Sequence, residues 1–243
     1  MQASADHYKT HLGPVYAWML GDLDAAFARS AAEIADLPLP KSLGTAVDLG
    51  AGLGLHSVPL AMRGFEVIAI DNCQVLLDDL SRRCGDLKVT THNADLLYFP
   101  AYLKGRQPQV IVCMGDTLTH LPDLAAAETL LGAVAAILPR PGVFAATFRD
   151  YATRALQGDQ RFISVRADEE RILTCFLEYG EEHVLVHDLL HEKTDGRWRQ
   201  SISSYPKIRL APEWVAAQLS GHGFAVKRDT TAGGMTRIVA TKA

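Results

Sequence analysis

The chain has 243 residues, 48% hydrophobic and 21% charged, with a formal net charge of −4. That is the composition of a soluble globular protein large enough for one α/β domain plus a modest insertion, and it excludes a disordered chain. Proteins that neutralise phosphates are usually basic, so nucleic acid is not an expected partner.

In chain order, residues 7–35 read as helical with an interruption at Gly13-Pro14, carry Tyr8, Tyr16, Trp18 and Phe27, and are closed off by Pro38 and Pro40. From Thr45 onward, short apolar strands alternate with helical patterns. Strands are expected at 46–49, 65–70, 87–91, 109–114 and 143–148, with helices at 55–63, 75–83 and 121–138. Such alternation implies a parallel sheet covered by helices on both faces. After Tyr151 the pattern changes to successive strands at 162–168, 171–179, 183–191 and 198–204, with polar turns at Glu181-Glu182 and Asp195-Gly196. This is an antiparallel insertion. A helix at 212–220 and a hairpin of 224–230 and 236–241 around Gly233-Gly234 close the chain.

The four cysteines, Cys73, Cys84, Cys113 and Cys175, are scattered and form no Cys-x-x-Cys pair. They read as reduced thiols, and no metal site is expected. Residues 1–10 lack a secretory pattern, and the most apolar helical stretch, 124–138, is too short to span a bilayer. A cytoplasmic address with no membrane partner follows as the expectation.

The decisive segment is Val47-Asp48-Leu49-Gly50-Ala51-Gly52-Leu53-Gly54, between a buried strand and a helix. Glycines there allow a ligand close to the backbone and to helix N-terminal N–H groups. Asp71 ends the next strand, at the separation expected of a carboxylate that grips a ribose diol. A dinucleotide fingerprint would need glycine where Leu55 stands, and Asp48 would repel a pyrophosphate while suiting a cationic amino group. A donor with an ammonium, a sulfonium and no phosphate fits better.

On these residues the chain resembles the class I S-adenosylmethionine-dependent methyltransferases, of the small-molecule type. Asp48 to Gly54 looks like the family's first motif and Ile70-Asp71-Asn72 like its second. Asn93-Ala94-Asp95-Leu96 is similar to the adenine-edge motif, and Val110 to Asp116 to the fourth-strand motif. The resemblance implies a Rossmann-like doubly wound seven-stranded sheet of order 3-2-1-4-5-7-6, with strand 7 antiparallel. It also implies S-adenosylmethionine as cofactor and S-adenosylhomocysteine as product. Carried over by position, Gly50, Ala51, Gly52 and Gly54 line the methionine portion and ribose, with Asp48 nearby. Asp71 accepts from both ribose hydroxyls, Asn72 and Leu96 flank the adenine, Asp95 accepts from its amine, and Met114 and Gly115 pass beneath the methionine moiety. In related small-molecule enzymes N-terminal helices cover the donor, which gives Tyr16 and Trp18, with Tyr8, a lid role.

The expected division is a helical lid at 1–40, a donor-binding core at 41–151 and 208–243, and a substrate-side insertion at 152–207. Strand ends 4 and 5 supply the catalytic candidates, His120 as a group that takes a proton at neutral pH and Arg149 as a binder of an acidic acceptor. Their bland alternatives are a helix-end histidine and an ion pair of Arg149 with Asp116 or Asp150. His183, His187 and His191 share one strand face but stand about 13 Å apart at ~3.3 Å per residue, too far for one metal. Lys207 and Arg209 read as acceptor contacts or as surface charges. No Asn-Pro-Pro-Tyr-type motif follows the fourth strand, which weighs against amino methylation of bases. The expected acceptor is a small molecule with an N or O nucleophile, methylated by in-line displacement. An NAD-dependent oxidoreductase and a non-catalytic methyltransferase-like binding protein stand as alternatives, and a homodimer is left open.

Overall fold

The computed structural model describes residues 2–41 and 43–242. Met1, Ser42 and Ala243, which fall in the expected lid and core, lie outside the described residues.

The N-terminal segment is less regular than its periodicity suggests. Helix α1 (Gln2–His7) runs into a π-helical turn (Tyr8–Leu12), a 3-10 turn (Gly13–Val15) and helix α2 (Tyr16–Leu20). Gly13 N–H donates to the Tyr8 carbonyl five residues back, and a β-carbon on Gly13 would collide with that oxygen. Pro14, in the first turn of the 3-10 piece, has no N–H to lose. After a break at Gly21, helix α3 (Leu23–Ala35) starts at Asp22, whose carboxylate accepts from Ala25 N–H.

The core then alternates β1 (Thr45–Leu49), α4 (Ser57–Met62), β2 (Glu66–Asp71), α5 (Gln74–Cys84), β3 (Val89–Asn93), β4 (Pro108–Cys113), α6 (Leu124–Ile137) and β5 (Gly142–Phe148). Helix α6 is shorter than the expected 121–138, because Asp123 caps it on Ala126 N–H and residues 117–120 form a separate 3-10 turn. The insertion contributes β6 (Phe162–Ala167), β7 (Arg171–Tyr179), β8 (His183–Thr194) and β9 (Arg197–Ile208), followed by α7 (Pro212–Gly221), β10 (Ala225–Thr230) and β11 (Thr236–Lys242).

Among the described residues these strands form two sheets. The larger has the order β10-β11-β5-β4-β1-β2-β3, with β11 antiparallel to β5 and the central pairs parallel. In the numbering of the expected seven-stranded core this is 3-2-1-4-5-7-6 with strand 7 reversed. Its strands are buried on both faces, hence their continuous apolar runs. Val47, Ile68, Ile111 and Phe144 pack under α6 and α7, while Ala46, Val67, Val110 and Ala145 pack under α3, α4 and α5. No helix of the described residues is long and apolar enough to cross a membrane.

The smaller sheet has the order β6-β7-β8-β9. Asp195 and Gly196, both with positive φ, make the two-residue turn that sets Thr194 opposite Arg197. Strand β9 extends past the expected residue 204 to Ile208, and Pro206 is tolerated because β9 is an edge strand. Alternation along this extension turns Tyr205 and Lys207 inward and Pro206 outward. Lys207 Nζ thereby meets Asp116 Oδ2 at 2.5 Å, with side chains 8% and 6% exposed. Arg209 adds a second tie, donating to the carbonyls of Tyr151, Ala152, Gly180 and Glu181.

Burial by itself would raise the Asp116 carboxyl, but Lys207 and the Arg149 N–H outweigh it and hold it below the usual range. Stability from a carboxyl lowered in the folded state is present above its unfolded pKa and lost as the pH falls through the folded one. Lys207→Met strands the buried carboxylate and should cost about 3 kcal/mol at neutral pH. The deficit should shrink below pH ~4 as Asp116 protonates. Urea unfolding of both proteins at the two pH values measures it; a Met variant as stable as wild type at pH ~7 removes the ion pair from the joint between sheets.

Candidate active site

The strand order reverses between β1 and β4, and a cleft opens beyond the carboxyl ends of these strands, where open α/β sheets hold ligands. Its wall combines Gly50, Ala51, Gly52, Asp71, Asn72, Leu96, Met114, Gly115 and His120 with Tyr16, all expected there. Tyr8, His56, Thr117 and Leu121 also line it.

Leu49 pairs with Ile70, so the loop after β1 and the end of β2 lie side by side. Asp71 Oδ2 accepts from Gly52 N–H and Oδ1 from Cys73 N–H, each at 2.8 Å. Burial raises the Asp71 carboxyl, with these N–H groups opposing. The carboxylate thus ties the glycine loop to the turn that precedes α5 while lining the cleft. Gly52 has φ +53, and a β-carbon there would meet nothing nearer than Leu76 Cδ1 at 4.0 Å. The room it reserves belongs to the cleft.

Several expected residues are placed elsewhere. A β-carbon on Gly54 would run into the Leu80 side chain, so this glycine serves the packing of α5 against the loop. Asp48 is 1% exposed beneath the loop, where Oδ2 accepts from Ser57 Oγ at 2.6 Å. Its Oδ1 has no hydrogen-bond partner, and burial raises its carboxyl. Asp95 spends its carboxylate on Leu97 N–H. Trp18 turns to the insertion, donating Nε1–H to Asp168 beneath the guanidinium groups of Arg166 and Arg171. Arg149 is 54% exposed and stands off the wall, with Nε 3.9 Å from Asp116 Oδ2; the ion-pair alternative is the observed one. Lys207 is neither a wall residue nor a surface charge. The histidines of β8 alternate with its buried positions, His183 on the Pro122 carbonyl and His187 on Ser204 and Glu178. No group of three or more His, Cys, Asp or Glu among the described residues is disposed to hold a metal.

His120 opens onto the cleft on one side and is otherwise enclosed. It stacks on Tyr205 at 5.4 Å, and Nε2 lies 3.5 Å from Tyr8 Oη. Desolvation, and then the Lys207 charge, lower its pKa to about 3. At neutral pH the ring is neutral and very weakly basic, which corrects the expectation of a proton acceptor. Nδ1 is buried with no partner. Sequence reasoning placed Tyr16 and Trp18 at the donor, gave Tyr8 only a lid role and named Thr117 among the candidates after the fourth strand; it gave Tyr205 no role. The π-helical turn sets the phase of these aromatics, and no residue pattern announces such a turn.

Residues 46–142 match the family model described as a methyltransferase domain. Over 141 residues the chain is 28% identical to a glycine/sarcosine N-methyltransferase of Parasynechococcus marenigrum (strain WH8102), a match covering 57% of this chain and 48%, about half, of that protein. Among solved structures it is similar to the CcbJ methyltransferase from Streptomyces caelestis, with TM-score 0.78 and 16% identity over 97% of this chain and 98% of that one. It is also similar to CalS10, an amino pentose methyltransferase from Micromonospora echinaspora, with TM-score 0.76 and 18% identity over 96% and 97%. At these identities the structures share the fold, which is the Rossmann-like methyltransferase fold.

The two glycines make separable demands. Gly54→Ala forces Leu80 to move and adds a side chain at φ +94, so it should lower Tm clearly. Gly52→Ala adds only the cost of a left-handed residue, roughly 1–2 kcal/mol. Calorimetry compares them; a Gly52 variant less stable than the Gly54 variant would mean that the loop's room is structural.

Proposed function

We propose that the chain is an S-adenosylmethionine-dependent methyltransferase that methylates a small amine. One observation carries the reading: the cleft joins an open glycine loop to a ribose-type carboxylate, and its wall bears no Lys or Arg. Leu55 stands where a dinucleotide fingerprint needs its third glycine, which disfavours NAD. An anionic acceptor would find no cation on the wall: Lys207 is buried on Asp116, and the exposed Arg149 side chain stands off the wall. The amine follows from that neutral wall and from the N-methyltransferase and amino pentose relatives.

S-adenosylmethionine supplies a methyl carbon already activated by its sulfonium. The space kept open at Gly52 fits its methionine backbone, and Asp71, with free lone pairs on both oxygens, fits its ribose hydroxyls. Tyr8 and Tyr16 bring π-faces suited to a cation. Burial raises both phenols, Tyr16 to about 12, so they stay neutral donors at physiological pH. Holding the amine in line, with water excluded, contributes roughly 7–11 kcal/mol in favourable cases. His120 orients rather than deprotonates: the amine attacks as the free base, and its proton goes to water after transfer.

Asp71→Ala should weaken S-adenosylmethionine binding by roughly 10²–10⁴-fold, the loss of two charge-assisted hydrogen bonds at about 1.5–3 kcal/mol each. Isothermal titration with S-adenosylmethionine and NAD in parallel decides it. A change below threefold would leave Asp71 as a tie between the glycine loop and the turn before α5 and no more, and NAD as the tighter ligand would overturn the whole reading.

The pH dependence separates orientation from base catalysis. A group with pKa about 3 gives no inflection between pH ~5 and ~8, so kcat/KM should rise with the acceptor amine's own deprotonation. Amino sugars are the first acceptors to assay, and glycine and sarcosine, whose carboxylates the wall has no cation to hold, should be poorer ones. His120→Asn should lower kcat/KM about 10–100-fold with the profile unchanged. A limb near pH ~6.5 in wild type that disappears in the variant would make His120 the base.

A further inference from the structure

Strand β8 carries an inconsistency that its period-two pattern makes plain. The inward positions read Val184, Val186, Asp188 and Leu190, an apolar stripe broken by a carboxylate 2% exposed. A buried carboxylate is expensive unless paired, and an apolar side chain would serve the sheet better. Residues that break a local rule in this way commonly place something else.

What Asp188 faces is the N-terminal segment. The His7 side chain is 0% exposed, with Nε2 3.0 Å from Asp188 Oδ2, a close polar contact rather than an aligned hydrogen bond. Its Nδ1 is 2.8 Å from Ser203 Oγ. The Cys175 thiol donates to Asp188 Oδ1 at 2.5 Å, which fixes the carboxylate from the opposite side. The imidazole stacks on Tyr205 at 4.1 Å and meets the Tyr8 ring edge-on at 5.6 Å and 87°. Tyr8, the next residue, lines the cleft and reaches His120. His7 closes α1, and the π-helical turn begins at Tyr8, so holding His7 fixes the phase in which Tyr8 enters the cleft.

The rest of the segment divides in the same way. Leu12 and Val15 pack with Leu173 and Leu190 of the insertion, whereas Tyr8, Tyr16 and Leu20 also pack with Leu53, Cys73 and Leu76 around the glycine loop. The segment is therefore held by the insertion on one side and covers the donor cleft with the other.

We propose that Asp188 and His7 form a positioning pair through which the insertion sheet sets Tyr8 on the wall of the donor cleft. Asp188 acts through His7, and His7 through Tyr8; neither touches the cleft itself. The consequence is that the insertion belongs to the donor site as well as to any acceptor site. The proposal rests on the methyl-donor reading above for its affinity arm only.

Two measurements on the full chain test it, with wild type, His7→Ala, His7→Gln, Asp188→Asn, Tyr8→Ala and the His7→Ala/Tyr8→Ala double variant. Hydrogen exchange needs no ligand: amides of residues 5–20 should exchange faster in His7→Ala and Asp188→Asn, with those of the central strands unchanged. Titration with S-adenosylmethionine should show about a tenfold loss in His7→Ala, the scale of one ordered aromatic contact. His7→Gln keeps a donor toward Asp188 and should recover most of it. Tyr8→Ala should lose a similar factor, and the double variant little more, because the two act in one chain. Unchanged exchange in residues 5–20, or losses in His7→Ala and Tyr8→Ala that multiply, overturns the proposal. Should His7→Ala fail to fold, His7→Gln and Asp188→Asn carry both readouts. If wild type binds no donor, the methyltransferase reading fails, and the exchange arm still decides whether the pair holds the segment.

Discussion

The structure turns on one buried carboxylate. Asp116 follows β4, has a left-handed backbone, and is 4% exposed. It accepts from Lys207 Nζ, from Arg149 N–H and from Tyr151 Oη. Those partners come from the far end of the insertion and from the two sides of the β5 exit, so a single side chain joins the smaller sheet to the larger. Thr119 donates to the Asp116 carbonyl through both its N–H and its hydroxyl, which closes the turn that ends at His120. The link between sheets and the placement of the histidine thus share one anchor.

That anchor also sets the electrostatics of the cleft. Neutralising Asp116 takes up Lys207, and the Lys207 charge in turn helps to keep His120 unprotonated. The end of the cleft around His120 is left with neutral hydrogen-bonding groups and aromatic faces. Such a surface orients a neutral nucleophile and gives no grip to a strongly anionic one. Catalysis by alignment fits a reaction whose electrophile needs no further activation.

The N-terminal segment completes the cleft from outside the core. Its irregular turns keep Tyr8 and Tyr16 on the glycine-loop side while Trp18 docks on the insertion beside Asp168. Tyr16 and Trp18 stand two positions apart on α2, roughly 200° around the helix, and so face opposite surfaces.

The sequence by itself determined the sheet and half the cleft. The parallel sheet and its closing hairpin followed from local signals, the alternation of apolar runs with helical patterns and the turn at Gly233-Gly234, and the strand order from the family resemblance that the glycine-loop motifs carry. Asp71 and Gly52 were legible for the same reason: they lie within one strand–helix–strand unit, and their meeting at 2.8 Å is a local consequence of its register. Tertiary structure alone decided the rest. Gly54 faces Leu80 of the next helix, and Lys207 crosses 91 positions to Asp116 because β9 runs four residues longer than its pattern. His120 lost its basicity to burial and to that same lysine, and the packing of α2 turned Tyr16 to the cleft and Trp18, on the opposite face, to Asp168 of the insertion. Contacts between distant segments, and the desolvation they impose, depend on how whole elements pack, and no spacing of residues along a chain encodes them.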